Sequence, residues 1–187
     1  MPLTAQERET LLKLARETIS HAVHERELPG VDLDVMPESL TRDGASFVTL
    51  TIEGELRGCI GSLEAQRPLA LDVCENALGA AFRDPRFPPL LPEELDDLHI
   101  EISVLSAPQP LSYDSLDDLI ARLRPGVDGV VIECGWNRAT FLPQVWEKLP
   151  DPHQFLERLC YKAGLSPNAF RQSNLDVYTY QVEEFEE

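Results

Sequence analysis

Residues Phe47 to Ile60 constrain the fold of this chain more than any other stretch. Val48, Leu50 and Ile52 alternate with Thr49 and Thr51, Glu53-Gly54-Glu55 interrupts, and Leu56 to Ile60 returns. Alternation of period two on both sides of a glycine-bearing break is the mark of a β-hairpin with one buried face. Successive side chains point to opposite faces, so loop length decides which residues share the core. A three-residue loop over Glu53-Gly54-Glu55 pairs Ile52 with Leu56, Leu50 with Gly58 and Val48 with Ile60. It keeps the apolar residues on one face and sets Thr49, Thr51, Arg57 and Cys59 on the other. A two-residue loop brings Arg57 and Cys59 beside the apolar residues and is rejected on that ground.

The hairpin is embedded in alternating helical and extended segments. Thr4 with Glu7 forms a capping box ahead of Leu11, Leu12, Ala15, Ile19, Ala22 and Val23, which gives a first helix ended by Pro29-Gly30. A second helix runs from Leu69 to Phe82, apolar nearly all round, with Pro68 at its first turn and a stop at Asp84-Pro85. Pro92 to Asp96 adds one helical turn, and His99 to Leu105 is a strand with Ile100, Ile102 and Val104 inward and His99, Glu101 and Ser103 on its other face. Further elements are a helix over Ser115 to Leu123, a hairpin of Gly129 to Glu133 and Ala139 to Leu142, and a helix from Asp151-Pro152 to Gly164. A last strand covers Leu175 to Val182, before an acidic end, Glu183 to Glu187, that reads as disordered. Hairpins mixed with helices imply an α+β fold around a largely antiparallel sheet flanked by helices, in one domain with room for a small subdomain.

Charge narrows the function classes. Against 16 Lys+Arg stand 33 Asp+Glu, a formal net charge of −17. Non-specific nucleic-acid affinity and attraction to anionic membranes both come from clustered cations, so neither a general nucleic-acid binder nor a membrane-surface protein is expected. Cys59, Cys74, Cys134 and Cys160 contain no paired CxxC spacing, so no structural zinc site is expected. Without a secretory pattern at Met1-Pro2-Leu3-Thr4, free thiols in a reducing cytoplasm are the expectation, with Cys74, Cys134 and Cys160 as small core residues. His21 and His24 lie three apart on the first helix with no carboxylate at metal-binding spacing, and they read as a solvated face.

Cys59 stands apart. Arg57 and Cys59 point the same way along a strand about 7 Å apart, and a guanidinium at that distance can stabilise a thiolate. Gly58 and Gly61 flank the thiol with bare backbone, which in a strand marks close approach of a ligand or of another backbone. A cation, a thiol and bare backbone suit a small anionic group. The structural reading stands beside this one: glycines for packing, Arg57 as the ion-pair partner of an acid such as Glu101, and a buried thiol.

Leu56-Arg57-Gly58-Cys59-Ile60-Gly61 resembles the LRGCIG signature of the AMMECR family. The resemblance continues through Asn76 to Phe87, Glu101 to Ser106, Arg124 to Gly129, Ala139 to Trp146 and Lys162 to Leu165, and spans roughly Phe47 to Val182. It departs at Phe170, where the family has a tryptophan. Members resemble protein A of the AmmeMemoRadiSam system, encoded alongside a Memo-type protein and a radical-SAM protein. The resemblance implies a larger sheet-containing part and a smaller lobe with a cleft bearing the LRGCIG segment. It attaches no reaction and no cofactor.

Two functions follow. In the first, a small-molecule enzyme uses Cys59 as nucleophile or thiol ligand. Glu101 serves as its acid–base or orienting group, and Arg57, Gly58, Gly61, Asp128 and Thr140 bind substrate. In the second, the segment is the binding surface of a non-catalytic partner or regulatory module that acts with radical-SAM and Memo-type proteins. No nucleotide-binding glycine loop of either common pattern is present.

Overall fold

The computed structural model describes residues 2–171 and 175–187. The chain forms two compact units, one of Met1–Leu105 with Glu183–Glu187 and one of Ser106–Val182. Helices and antiparallel sheets are combined in an α+β fold.

The first unit contains α1 (Ala5–Val23), α2 (Glu38–Thr41), β1 (Asp43–Ile52), β2 (Glu55–Gly61), β3 (Arg67–Pro68), α3 (Leu69–Phe82) and β4 (Leu98–Leu105). Its sheet has the order β2-β1-β4-β9, where β9 is Val182–Glu186, and β3 pairs with β1. Leu11, Ala15 and Ile19 of α1, Val48 and Leu50 of β1, Val73 and Ala77 of α3, and Ile100 and Ile102 of β4 are fully buried together. Apolar residues at helical spacing on α1 and α3 meet those at alternate positions of the strands, and removal of this surface from water drives the packing.

The capping box of α1 forms as the spacing requires, with Thr4 Oγ1 accepting from Glu7 N at 3.3 Å. The helix ends at Val23, not at Pro29-Gly30. Glu25 takes a left-handed φ of 53°. Glu25 N and Arg26 N then donate to the carbonyls of Ala22 and His21, a Schellman closure built on a non-glycine residue and therefore invisible in the composition. Asp72 of α3 is buried, and Ser46 N, Ser46 Oγ, Asn76 Nδ2 and Ser62 Oγ all donate to its carboxylate at 2.8–2.9 Å. This network ties α3 to β1 and to the end of β2, and full satisfaction offsets the cost of burying a carboxylate.

The hairpin corrects the expected loop. The turn is the two residues Glu53 and Gly54, with φ of 52° and 81°, both in the left-handed region that a type I′ turn needs. Ile52 pairs with Glu55 and Thr51 with Leu56, and the register then shifts so that Leu50 faces Gly58, Thr49 faces Cys59 and Val48 faces Ile60. Arg57 is the extra residue of that bulge. The short turn matches the twist of the strands, and the bulge restores the parity that keeps Val48 and Leu50 in the core.

The acidic end is also corrected. Glu183 to Glu187 is ordered: β9 pairs beside β4, Phe185 packs against the core, and Glu183, Glu186 and Glu187 find side-chain partners. Arg8 pairs with Glu183, Arg16 with Glu187, and His99 Nε2 lies 3.0 Å from Glu186. The expected last strand is therefore two strands broken at Gln181.

The second unit holds β5 (Gln109–Pro110), α4 (Leu116–Arg122), β6 (Gly129–Cys134), β7 (Asn137–Phe141), α5 (Val145–Lys148), α6 (Pro152–Lys162) and β8 (Asp176–Tyr180), with sheet order β5-β8-β6-β7. Ser115 and Asp151 cap α4 and α6. Trp146 stacks on Phe155 with ring centroids 3.7 Å apart, at the centre of a core that includes Val130, Ile132 and Leu159. No helix among the described residues is long and apolar enough to cross a membrane.

Candidate functional site

The face of the first sheet turned away from the aliphatic core carries a row of polar side chains. Thr49 pairs with Cys59 on β2 and with Glu101 on β4, so Cys59, Thr49 and Glu101 lie side by side across three strands. Adjacent strands are about 4.8 Å apart, so the thiol and the carboxyl flank Thr49 at about 10 Å between strand axes. Thr49 Oγ1 donates to Cys59 Sγ at 3.3 Å. Thr51 faces His99 in the next row, and Ser103 faces Phe47 on the other side.

Glu101 is held above the usual carboxylate range. Burial is the leading cause, and the charges of Glu184 and Glu186 add to it, while His99 opposes. Glu184 and Glu186 come from β9, so the last strand supplies part of the field at this face.

Arg57 does not join the row. As the bulge residue it is aimed away: Nε and Nη2 donate to Glu94 at 2.7 and 3.0 Å, and the remaining donors reach the carbonyls of Pro88 and Pro89 at 3.0 and 3.3 Å. Bulges commonly redirect a side chain in this way. The acid that pairs with Arg57 is Glu94, not Glu101, and the guanidinium holds the Glu94 carboxyl below its ordinary range. The glycines beside it are occupied as well. A Cβ on Gly58 would stand 2.1 Å from the Ala80 carbonyl oxygen, and one on Gly61 would stand 2.2 Å from the Phe47 ring.

The backbone of Cys59 is held by two residues just past the end of α3, Asp84 at the helix stop and Arg86 beyond it. Cys59 N donates to Asp84 Oδ2 at 2.9 Å, and Arg86 Nη2 reaches the Cys59 carbonyl at 3.4 Å. Arg86 Nε and Nη2 donate to Asp84 at 2.9 and 2.6 Å. These contacts hold the Asp84 carboxyl well below the usual carboxylate range, the Arg86 hydrogen bonds first among the causes. The bonding groups of Cys59 are thus turned from β1, which makes Thr49 and Cys59 a non-hydrogen-bonded pair, the kind in which side chains approach most closely. The sequence signal was the acid two residues before Arg86 at the end of an apolar helix.

Asp128 and Thr140 lie in the second unit. Asp128 is buried and bound by Arg124, whose Nη2 donates at 2.6 Å, and its carbonyl accepts from Trp146 Nε1 at 2.7 Å. Thr140 Oγ1 is 3.0 Å from the Tyr180 hydroxyl. All four cysteines are free; Cys160 is buried, and Cys74 and Cys134 are half-buried against their cores. His21 and His24 each bond a backbone carbonyl through Nδ1. Among the described residues, no group of three His, Cys, Asp or Glu side chains is arranged to hold a metal ion.

Comparison with known proteins agrees with the residue pattern. The AMMECR1 family profile matches residues 12–185. A protein of Methanothermobacter thermautotrophicus is 43% identical over 188 residues, covering 100% of this chain and 97% of its own. Protein MJ0810 of Methanocaldococcus jannaschii is 33% identical over 192 residues, covering 99% and 92%. The crystal structure of protein PH0010 from Pyrococcus horikoshii is similar with a TM-score of 0.79 at 32% identity, over 99% of this chain and 93% of that one. On these matches, which run nearly end to end, the chain belongs to the AMMECR1 family.

Proposed function

We propose that this protein is a small-molecule enzyme whose reaction site is the polar face of the first sheet, with Cys59 as nucleophile or thiol ligand and Glu101 as the acid–base group. The observation that carries the reading is the row Cys59, Thr49, Glu101 across three neighbouring strands. Thr49 orients Sγ, and a carboxyl held above its usual range by burial and by neighbouring glutamates is better suited to giving and taking a proton than an ordinary exposed one. In this reading Arg57, Gly58 and Gly61 hold the strand that carries the thiol, and Asp128 and Thr140 take no step.

The test is alkylation by iodoacetamide, read peptide by peptide on the full chain. Cys59 is expected to react fastest of the four thiols, and Thr49→Val to slow it about fivefold, the effect of one lost hydrogen bond. A Cys59 that reacts no faster than half-buried Cys134 sinks the nucleophile.

A second reading is favoured by the structural engagement of Arg57, Gly58 and Gly61: a non-catalytic module acting with radical-SAM and Memo-type proteins. It requires Cys59→Ser to retain partner binding in full.

A further inference from the structure

A cavity of about 560 Å³ lies in the first unit, and none of Cys59, Thr49 and Glu101 lines it. Leu71, Cys74 and Leu78 share one face of α3 by helical spacing, and the loop residues Leu28 and Val31 wall the other side. Leu28 is 47% exposed, an aliphatic side chain left to water at the mouth of an apolar hollow. The volume falls in the range of about 300–1,000 Å³ that holds small-molecule ligands.

One cation stands in the lining. Arg67 is 3.9 Å from Asp72, its one ion pair among the described residues, and its side chain is 45% exposed. The close contacts of that carboxylate are Ser46, Ser62 and Asn76 at 2.8–2.9 Å, and Arg67 stands farther off as a counter-charge. The guanidinium therefore keeps donors to spare. Glu75, also in the lining, is engaged by Arg83 at 2.5 Å. A hollow with an aliphatic wall of Leu28, Val31, Leu71 and Leu78 and a half-exposed guanidinium at its edge matches a molecule with a hydrocarbon body and one anionic end.

We propose that this cavity binds a small amphiphilic carboxylate, its hydrocarbon against Leu28, Val31, Leu71 and Leu78 and its carboxylate on the guanidinium of Arg67. The site is separate from the Cys59 face and does not depend on any reaction there.

Cys74 provides the readout. Its thiol lines the cavity, and burial pushes it up, so alkylation by N-ethylmaleimide is followed in mildly alkaline buffer on the full chain. Decanoate is the probe and decanol the uncharged control. Decanoate is expected to protect Cys74 saturably, with decanol at least about tenfold weaker. Arg67→Gln is expected to weaken decanoate about tenfold and leave decanol unchanged, with Arg67→Lys recovering part of the loss. Leu78→Trp should fill the hollow and remove protection by both. If that variant fails to fold, the half-exposed Arg67→Gln still decides the question. No protection, equal protection by decanol, or decanoate binding indifferent to Arg67→Gln overturns the proposal.

Discussion

Asp84 accepts the backbone N–H of Cys59 at 2.9 Å, and the same carboxylate is gripped by Arg86. β2 stands at the end of its sheet, and an edge strand presents donors and acceptors that another chain can pair with. Asp84 and Arg86 close that edge at the cysteine and set the direction of its side chain. The loop after α3 therefore helps to position the candidate nucleophile, although it contributes no group to the polar face itself.

Asp84→Asn should cost about 2 kcal/mol at neutral pH, since hydrogen bonds to a buried charge are lost or weakened. The carboxyl is depressed in the folded protein, so its contribution is present above the ordinary carboxylate range and is lost as pH falls through the folded value. Denaturant unfolding at a series of pH values should show the gap between the two proteins closing in acid. A gap that is constant with pH would refute the ion-pair account.

Glu101→Gln has the opposite sign. A carboxyl raised by folding costs nothing below its unfolded pKa and costs stability as pH rises through the raised folded one. The variant should melt higher than the parent at pH 7 and equal to it in acid, read by calorimetry. A lower melting temperature at pH 7 would mean that the charged form is stabilised by a partner.

Gly58→Ala should destabilise the protein by about 3 kcal/mol, because the new methyl meets backbone, the Ala80 carbonyl oxygen, which moves only with its helix. Gly61→Ala meets Phe47 at Cγ and Cδ1, a clash that ring rotation does not relieve but a shift of the whole side chain does, and should cost less, about 2 kcal/mol. Urea midpoints measure both. Equal costs would mean that α3 yields as readily as a side chain.

Removal of residues 183–187 should lower the stability of the first unit and raise its tendency to self-associate, because it strips Phe185 from the core and uncovers the edge of β4. Light scattering against concentration reads the second effect. The same truncation removes Glu184 and Glu186, and the Glu101 carboxyl should titrate lower as a result, measurable by carbonyl NMR.

Local pattern alone determined the helical and extended segments where one residue type repeats at one period. The bounds of α3 at Leu69 and Phe82 were legible from the prolines that flank it, and the inward Ile100 and Ile102 and the pairs Leu50 with Gly58 and Val48 with Ile60 because burial of one face enforces periodicity. Thr49, Cys59 and Glu101 were each assigned to a non-core face by the same parity. That Thr49 bridges the other two required the pairing of β1 with both β2 and β4, which no single strand records. The fate of Arg57 was decided only in three dimensions. The two-residue turn forced a bulge, the bulge redirected the guanidinium, and Glu94, distant in sequence, received it. The acidic end likewise read as solvated chain until Arg8, Arg16, His99 and the open edge of β4 were assembled around it. Periodicity is a local consequence of burial, whereas the partner of a charge is chosen by whichever segments the fold brings within reach.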